Sequence, residues 1–104
     1  MAGCGGASSA YQESRFAEPE REDPALLADE QAELERALSE ELARPEADCG
    51  TACDLAHRIC DLSSRICGIA QRHPSDEELS GRCGDAGGRC DSARERVAER
   101  CTCE

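Results

Sequence analysis

The sequence predicts an all-α protein of three helices, in which the second and third form an antiparallel hairpin cross-linked by disulfides after a disordered N-terminal tether. Three observations predict this arrangement. Leucines recur on one helical face of residues 24–44, a seven-residue repeat fills residues 54–67, and eight of the nine cysteines lie in residues 49–103. Because seven residues make two helical turns, a repeat of this length keeps matching residues on one side of a helix.

Composition limits the class of protein. The 104 residues include only thirteen Leu, Ile, Val and Phe, a proportion typical of disordered chains, but nine Cys, a proportion typical of disulfide-stapled scaffolds. A chain this short with so few apolar residues forms a thin core, so cross-links are expected to supply much of its stability. The net charge of −11 disfavours a nucleic-acid partner and electrostatic attachment to anionic lipid.

The N-terminal residues carry a short motif. Ala2-Gly3-Cys4 resembles the end of a bacterial lipobox, Leu-(Ala/Ser)-(Gly/Ala)-Cys, with Met1 in place of the leucine. The resemblance implies that Cys4 is lipidated and that the chain meets a membrane through this lipid anchor only. Residues 1–22 are therefore interpreted as a lipobox-like start and a flexible, charged tether. The alternative is an ordinary disordered N-terminus with an unpaired thiol.

A small helical domain is expected over residues 23–104, and its first helix over about 24–44. Asp23-Pro24 is a typical helix start, with an N-cap aspartate and a proline at the first helical position. Pro45 ends the helix, because proline cannot donate the next backbone hydrogen bond. The apolar face carries Leu27, Leu34, Leu38 and Leu42.

The second helix, over about 49–72, contains the most specific pattern in the chain. Residues 54–60 read Asp-Leu-Ala-His-Arg-Ile-Cys, and residues 61–67 read Asp-Leu-Ser-Ser-Arg-Ile-Cys. The leucines and isoleucines form a broad apolar face, and one edge of that face is occupied by Cys53, Cys60 and Cys67. We expect the Leu/Ile edge to contact the first helix and the cysteine edge to contact the third.

The third helix is expected over about 76–101. Ser75 and Glu78 have the spacing of a capping box at its start. Four glycines between Gly81 and Gly88 weaken the helix, so without cross-links it should fray near its middle. Small and apolar residues alternate by four and three along one seam, namely Leu79, Cys83, Ala86, Cys90, Ala93, Val97 and Cys101.

Hairpin geometry indicates which cysteines pair. Residues that face each other in an antiparallel hairpin have a nearly constant sum of residue numbers, and both Cys67 with Cys83 and Cys60 with Cys90 sum to 150. Nested pairing then predicts the disulfides Cys67–Cys83, Cys60–Cys90, Cys53–Cys101 and Cys49–Cys103. The alternative Cys49–Cys101 also sums to 150 but leaves Cys53–Cys103 at 156, so the connectivity of these four cysteines stays open.

Metal binding is the main alternative for the cysteines. Thiolates at four- and seven-residue spacing resemble those of exported copper-storage helical bundles, and soft thiolates suit Cu(I). The resemblance implies copper as a cofactor, with ligands among Cys49, Cys53, His57, Cys60, Cys67, Cys83 and Cys90. Because the chain has no CxxC motif of the zinc kind and contains a single Met, structural disulfides without any cofactor are favoured.

No residue set indicates catalysis. His57 and His73 lack the neighbours of a catalytic triad, and the C-terminal Cys101-Thr102-Cys103 lies far from a helix N-terminus, where reactive thiolates are usually stabilised. The cysteine-bearing pair of helices resembles the α-hairpinins, and with Cys4 the chain resembles small cysteine-rich lipoproteins of myxobacteria. These resemblances imply a non-enzymatic, lipid-anchored structural or interaction protein of the cell envelope, with an unidentified protein partner; the alternative is a Cu(I) store or scavenger.

Overall fold

The structure, a computed structural model, describes residues 22–104, and this part of the chain contains three α-helices and no strand. The helices are α1 (Pro24–Ala43), α2 (Cys49–Arg72) and α3 (Glu77–Ala98). The predicted all-α, three-helix arrangement is confirmed. Cys4 and all but the last residue of the predicted tether lie outside the described residues. None of the three helices is both long and apolar enough to cross a membrane.

Each helix begins at an aspartate. The Asp23 carboxylate accepts a hydrogen bond from the backbone N–H of Ala25 at 2.9 Å, and Asp48 accepts one from Thr51 at 3.2 Å. At the start of α3 the N-cap is Asp76, so the predicted capping box at Ser75 is wrong. These carboxylates satisfy N–H groups that have no partner within the helix and lie at its positive end.

The core is thin, and α2 supplies most of it. The buried apolar residues of α2 include Leu55, Ile59, Leu62, Ile66 and Ile69. Facing them, α1 contributes leucines, whereas α3 contributes small side chains and a single valine, Val97. Helix α2 packs against both neighbours, and α1 and α3 make the least contact with each other. The predicted meeting of the Leu/Ile edge with the first helix is confirmed.

Polar side chains join α1 to α3. Arg89 forms an ion pair with Glu35 at 3.3 Å, and the Arg96 guanidinium donates to the hydroxyl of Ser39 at 2.9 Å. Exposed pairs of this kind contribute little stability. The α2–α3 boundary, in contrast, is covalent.

Candidate functional site

Four disulfides run along the α2–α3 boundary and form a ladder. In all four bridges the distance between the two Cα atoms lies in the normal range for disulfides. The four bridges, with their Cα–Cα distances, are Cys67–Cys83 (4.6 Å), Cys60–Cys90 (4.6 Å), Cys49–Cys101 (5.5 Å) and Cys53–Cys103 (5.7 Å). All eight cysteines of residues 49–103 are therefore oxidised, and none carries a thiolate.

The two inner bridges, Cys60–Cys90 and Cys67–Cys83, form as the constant sum predicts. Seven residues separate the two cysteines on α2, and seven separate the two on α3, so each pair lies at one height of the hairpin. Small residues occupy the boundary around them, including Ser63 of α2, which is buried. These small residues allow the backbones of α2 and α3 to approach closely, in agreement with the Cα–Cα distance of 4.6 Å in both inner bridges.

The two outer bridges correct the predicted pairing of Cys53 with Cys101 and of Cys49 with Cys103. The structure joins Cys49 to Cys101 and Cys53 to Cys103. The backbone N–H of Cys101 donates to the carbonyl of Val97 at 2.8 Å, so Cys101 still follows the helical path of α3 and meets Cys49 in register. Beyond it the chain is no longer helical, and the sum rule does not apply to Cys103.

The copper alternative requires thiolates that the oxidised ladder does not offer. Cu(I) binds soft thiolate sulfur, and a disulfide sulfur carries no such charge. No group of three or more His, Cys, Asp or Glu side chains in residues 22–104 has the arrangement of a metal site. The cysteines named above as possible copper ligands therefore form no such group. They form none with His57 either, and that side chain is exposed on α2.

A groove of about 680 Å³ lies beside the ladder, between α2 and the C-terminal end of α3. Ala56 and Val97 contribute apolar side chains to it, and His57 and Arg94 contribute polar ones. Cys101, Cys103 and Glu104, which follow α3, line it as well. The groove contains one imidazole, that of His57, but no free thiol, because its three cysteines, Cys60, Cys101 and Cys103, are bonded to Cys90, Cys49 and Cys53.

The second histidine, His73, lies at the other end of the bundle. It ends α2, where its backbone N–H donates to the carbonyl of Ala70 at 3.0 Å. His73 shares a shallow groove of about 450 Å³ with several acidic side chains, including Glu22. Glu22 forms an ion pair with Arg65, and this hydrogen bond raises the pKa of Arg65 above its ordinary value, although partial burial lowers it. These groups hold charge at the surface and form no catalytic constellation.

Two residues that the sequence analysis missed hold the bundle together. Gln31 of α1 is 1% exposed, and its side chain contacts both α2 and α3. Arg100, just before Cys101, donates to the carbonyl oxygen of residue 42 in the last turn of α1 and to those of residues 44 and 45 immediately after it. The row of leucines on α1 has a gap at position 31 that signals the first residue, whereas no pattern in the sequence signals the second.

The fold and the ladder define a small, cysteine-rich helical protein stapled by four disulfides. No protein-family model matches the chain, and comparisons with curated proteins and with solved structures gave no significant match.

Proposed function

We propose that the protein is a non-enzymatic structural or interaction protein of the bacterial cell envelope, exported and held at a membrane by a lipid on Cys4. The observation that carries this proposal is the complete pairing of the eight cysteines in residues 49–103. Disulfides persist in oxidising compartments outside the cytoplasm, and small exported domains use them in place of a large core. This supports export.

The use of the cysteines also supports a structural role. A catalytic or metal-binding cysteine acts as a thiolate, whereas these eight sulfurs are consumed in cross-links between two helices. Helix α3 gives little to the core, with Ala86, Ala93 and Val97 as its main buried apolar residues besides Cys90. The disulfides therefore supply stability that the packing of α3 does not. They lie at the α2–α3 boundary, where the small side chains of α3 bury little apolar surface.

Two observations support the lipid anchor. Ala2-Gly3-Cys4 has the small residues that precede a lipidated cysteine, and no cysteine in residues 22–104 is left to pair with Cys4. The likeness to small cysteine-rich lipoproteins of myxobacteria rests on Cys4 together with the cysteine-rich helical plan of the chain. The lipid would hold the domain at a membrane surface, where its partner would be another protein of the envelope.

Thiol counting tests the structural role. The protein is purified aerobically, denatured without reductant, alkylated and weighed, with a fully reduced sample as the control. We expect at most one alkylated cysteine, Cys4, before reduction and nine after it. Several alkylated cysteines in the unreduced, metal-free sample would contradict the ladder and favour a thiolate role.

A separate experiment tests the anchor. The gene is expressed with its natural upstream region in a bacterial host fed an alkynyl fatty acid, beside a Cys4→Ser variant. We expect the wild-type protein to carry the label and to partition into detergent, and the variant to do neither. If both proteins stay unlabelled and partition into water, the lipobox interpretation is wrong, while the ladder is unaffected.

A further inference from the structure

The Cys53–Cys103 bridge differs from the other three in its accessibility. Among the eight paired cysteines only Cys103 is exposed, and the remaining seven are buried or half-buried. Cys90, for comparison, is 9% exposed and lies within α3. A reductant must reach a sulfur in line with the S–S bond, so access decides which bridge reacts first.

The Cys53–Cys103 bridge also differs in that few other contacts hold the segment around Cys103 in place. Regular backbone hydrogen bonding ends at Cys101, whose N–H donates to Val97. The backbone N–H groups of residues 102–104 donate no hydrogen bond within residues 22–104. The Cys53–Cys103 bridge is thus the main attachment of these residues to α2, and segments held by so few bonds open at low cost.

We propose that Cys53–Cys103 is a redox latch, which a dithiol reductant opens while the other three bridges keep the bundle folded. A thiolate of the reductant attacks the Cys103 sulfur, the S–S bond breaks, and Cys53 leaves as a thiolate that takes a proton. The second thiol of the reductant then attacks the mixed disulfide and releases Cys103, so the dithiol is oxidised to a disulfide as the bridge gains two electrons and two protons.

Opening the latch changes the groove. Cys103 and Glu104 line it, so their release removes one wall of the cavity of about 680 Å³. The freed Cys53 thiol lies one helical turn from His57 on α2. The reduced form therefore presents a wider groove and two thiols, whereas the oxidised form keeps this wall of the groove and has neither thiol. This property goes beyond the proposed structural role and does not depend on export or lipidation.

The other outer bridge, Cys49–Cys101, is expected to resist the same treatment. Both of its cysteines are half-buried, and both adjoin groups that are held independently. Cys49 begins α2 beside its N-cap, and Arg100 binds the turn after α1 immediately before Cys101. Loss of this bridge would disturb those contacts, whereas loss of the latch leaves them intact.

Partial reduction tests the latch. The oxidised protein, shown beforehand to have no alkylatable cysteine among residues 49–103, is treated with limiting phosphine in mildly acidic buffer, where thiol exchange is suppressed. It is then alkylated and mapped by mass spectrometry. We expect the first two labels at Cys53 and Cys103, with the far-ultraviolet circular dichroism of the helices unchanged. First labels at another pair, or labelling of all eight cysteines together, would overturn the proposal.

Two double variants complete the test. Cys53→Ser with Cys103→Ser should remove the first reduction step and leave the later steps at their wild-type reductant concentrations. The matched control, Cys67→Ser with Cys83→Ser, should retain the first step at the latch. If the control loses that step while remaining helical, early reduction reflects general loosening of the ladder and the latch is refuted.

Discussion

The side-chain Nε2 of Gln31 donates to the backbone carbonyl oxygen of Ile59 at 3.0 Å, across the α1–α2 boundary. The same amide donates to the carbonyl oxygen of Ala86 in α3 at 3.2 Å. One side chain from α1 thus bonds to the backbones of both other helices. Because Gln31 is 1% exposed, these bonds form away from water, where an amide left without partners is costly.

Replacing Gln31 by Ala should lower the free energy of unfolding by about 2–3 kcal/mol. The variant loses two buried hydrogen bonds and leaves a cavity between the three helices. Chemical unfolding in urea with all disulfides intact, followed by circular dichroism, measures the change.

Gln31→Leu is the informative control. Leucine has a similar volume and extends the row of Leu27, Leu34 and Leu38, so its unfolding free energy should lie within about 1 kcal/mol of the wild-type value. If the Ala variant is as stable as the wild type, Gln31 does not connect the helices as described.

Gln31 also shows how far the sequence predicts the core. The leucines of α1 predict the helix and its buried face, but a step of seven between Leu27 and Leu34 passes over the position in between. Four residues after one leucine and three before the next, Gln31 lies on the seam. A polar residue there looks like a break in the pattern, because its partners are backbone carbonyls of distant helices that no side-chain pattern encodes.

The disulfide ladder also shows which pairings the sequence predicts and which it does not. Inner bridges follow from heptad spacing because both partners lie on regular helices. In the outer pair the tail turns back along α2. Two extended residues, from Cys101 to Cys103, span up to about 7 Å, and four helical residues, from Cys49 to Cys53, rise about 6 Å. The distance between the two cysteines of the CxC tail therefore matches the distance between the two cysteines of the CxxxC segment of α2. The sequence predicts a helix over 76–101 and no extended tail, so it does not predict this pairing.

Replacing Gly84 or Gly88 by Ala should raise the free energy of unfolding by about 0.5–1 kcal/mol at each position. Apart from the backbone of α3, no atom lies within 4 Å of the position that an added Cβ would occupy at either glycine. Helix α3 continues through this region without interruption, so neither glycine is needed for a turn or a close contact.

Gly50→Ala serves as the matched control for those two variants. Its Cβ would lie 3.3 Å from Oδ1 of Asp48, the carboxylate that caps α2. We expect no gain in stability there, and a gain as large as that at Gly84 would show that the N-cap contact is unimportant. Thermal unfolding of the oxidised proteins gives the comparison.

Replacing Arg100 by Ala should lower the free energy of unfolding by about 1 kcal/mol. Its guanidinium donates to carbonyl oxygens at the end of α1, including those of Arg44 at 3.3 Å and Pro45 at 3.4 Å. Carbonyls at a helix C-terminus lack partners within the helix and favour a positive charge. Lysine should restore only part of the loss, because its ammonium lacks the planar fork of the guanidinium.

Arg94→Ala provides the reference for Arg100. Arg94 is exposed, and its side chain forms no hydrogen bond or ion pair within residues 22–104. Its removal should change the urea midpoint little. Equal effects at the two positions would mean that Arg100 stabilises the protein only through its net charge.

Complete reduction should remove much of the helical signal of α2 and α3. The bridge between Cys67 and Cys83 alone closes a loop of 16 residues, and a loop of that length corresponds to about 3 kcal/mol of constraint on the unfolded chain. Without the four bridges, the small side chains of α3 offer too little apolar burial to offset the entropy of ordering it. Circular dichroism with excess reductant measures the loss, and a reduced protein with full native helicity would show that packing suffices.

Adding Cu(I) to the reduced protein decides between the structural role and copper storage. In a storage protein, metal binding is coupled to folding, so several ions per chain would bind tightly and restore the helices together. In a stapled protein the thiols are placed to bond in pairs across a helix boundary. We therefore expect loose, variable stoichiometry by calorimetry and no recovery of native circular dichroism. Reoxidation of the same sample without metal should restore the helices instead. A defined multi-copper state with native helicity would overturn the structural assignment, because the thiolates would then suffice to order the bundle without any bridge.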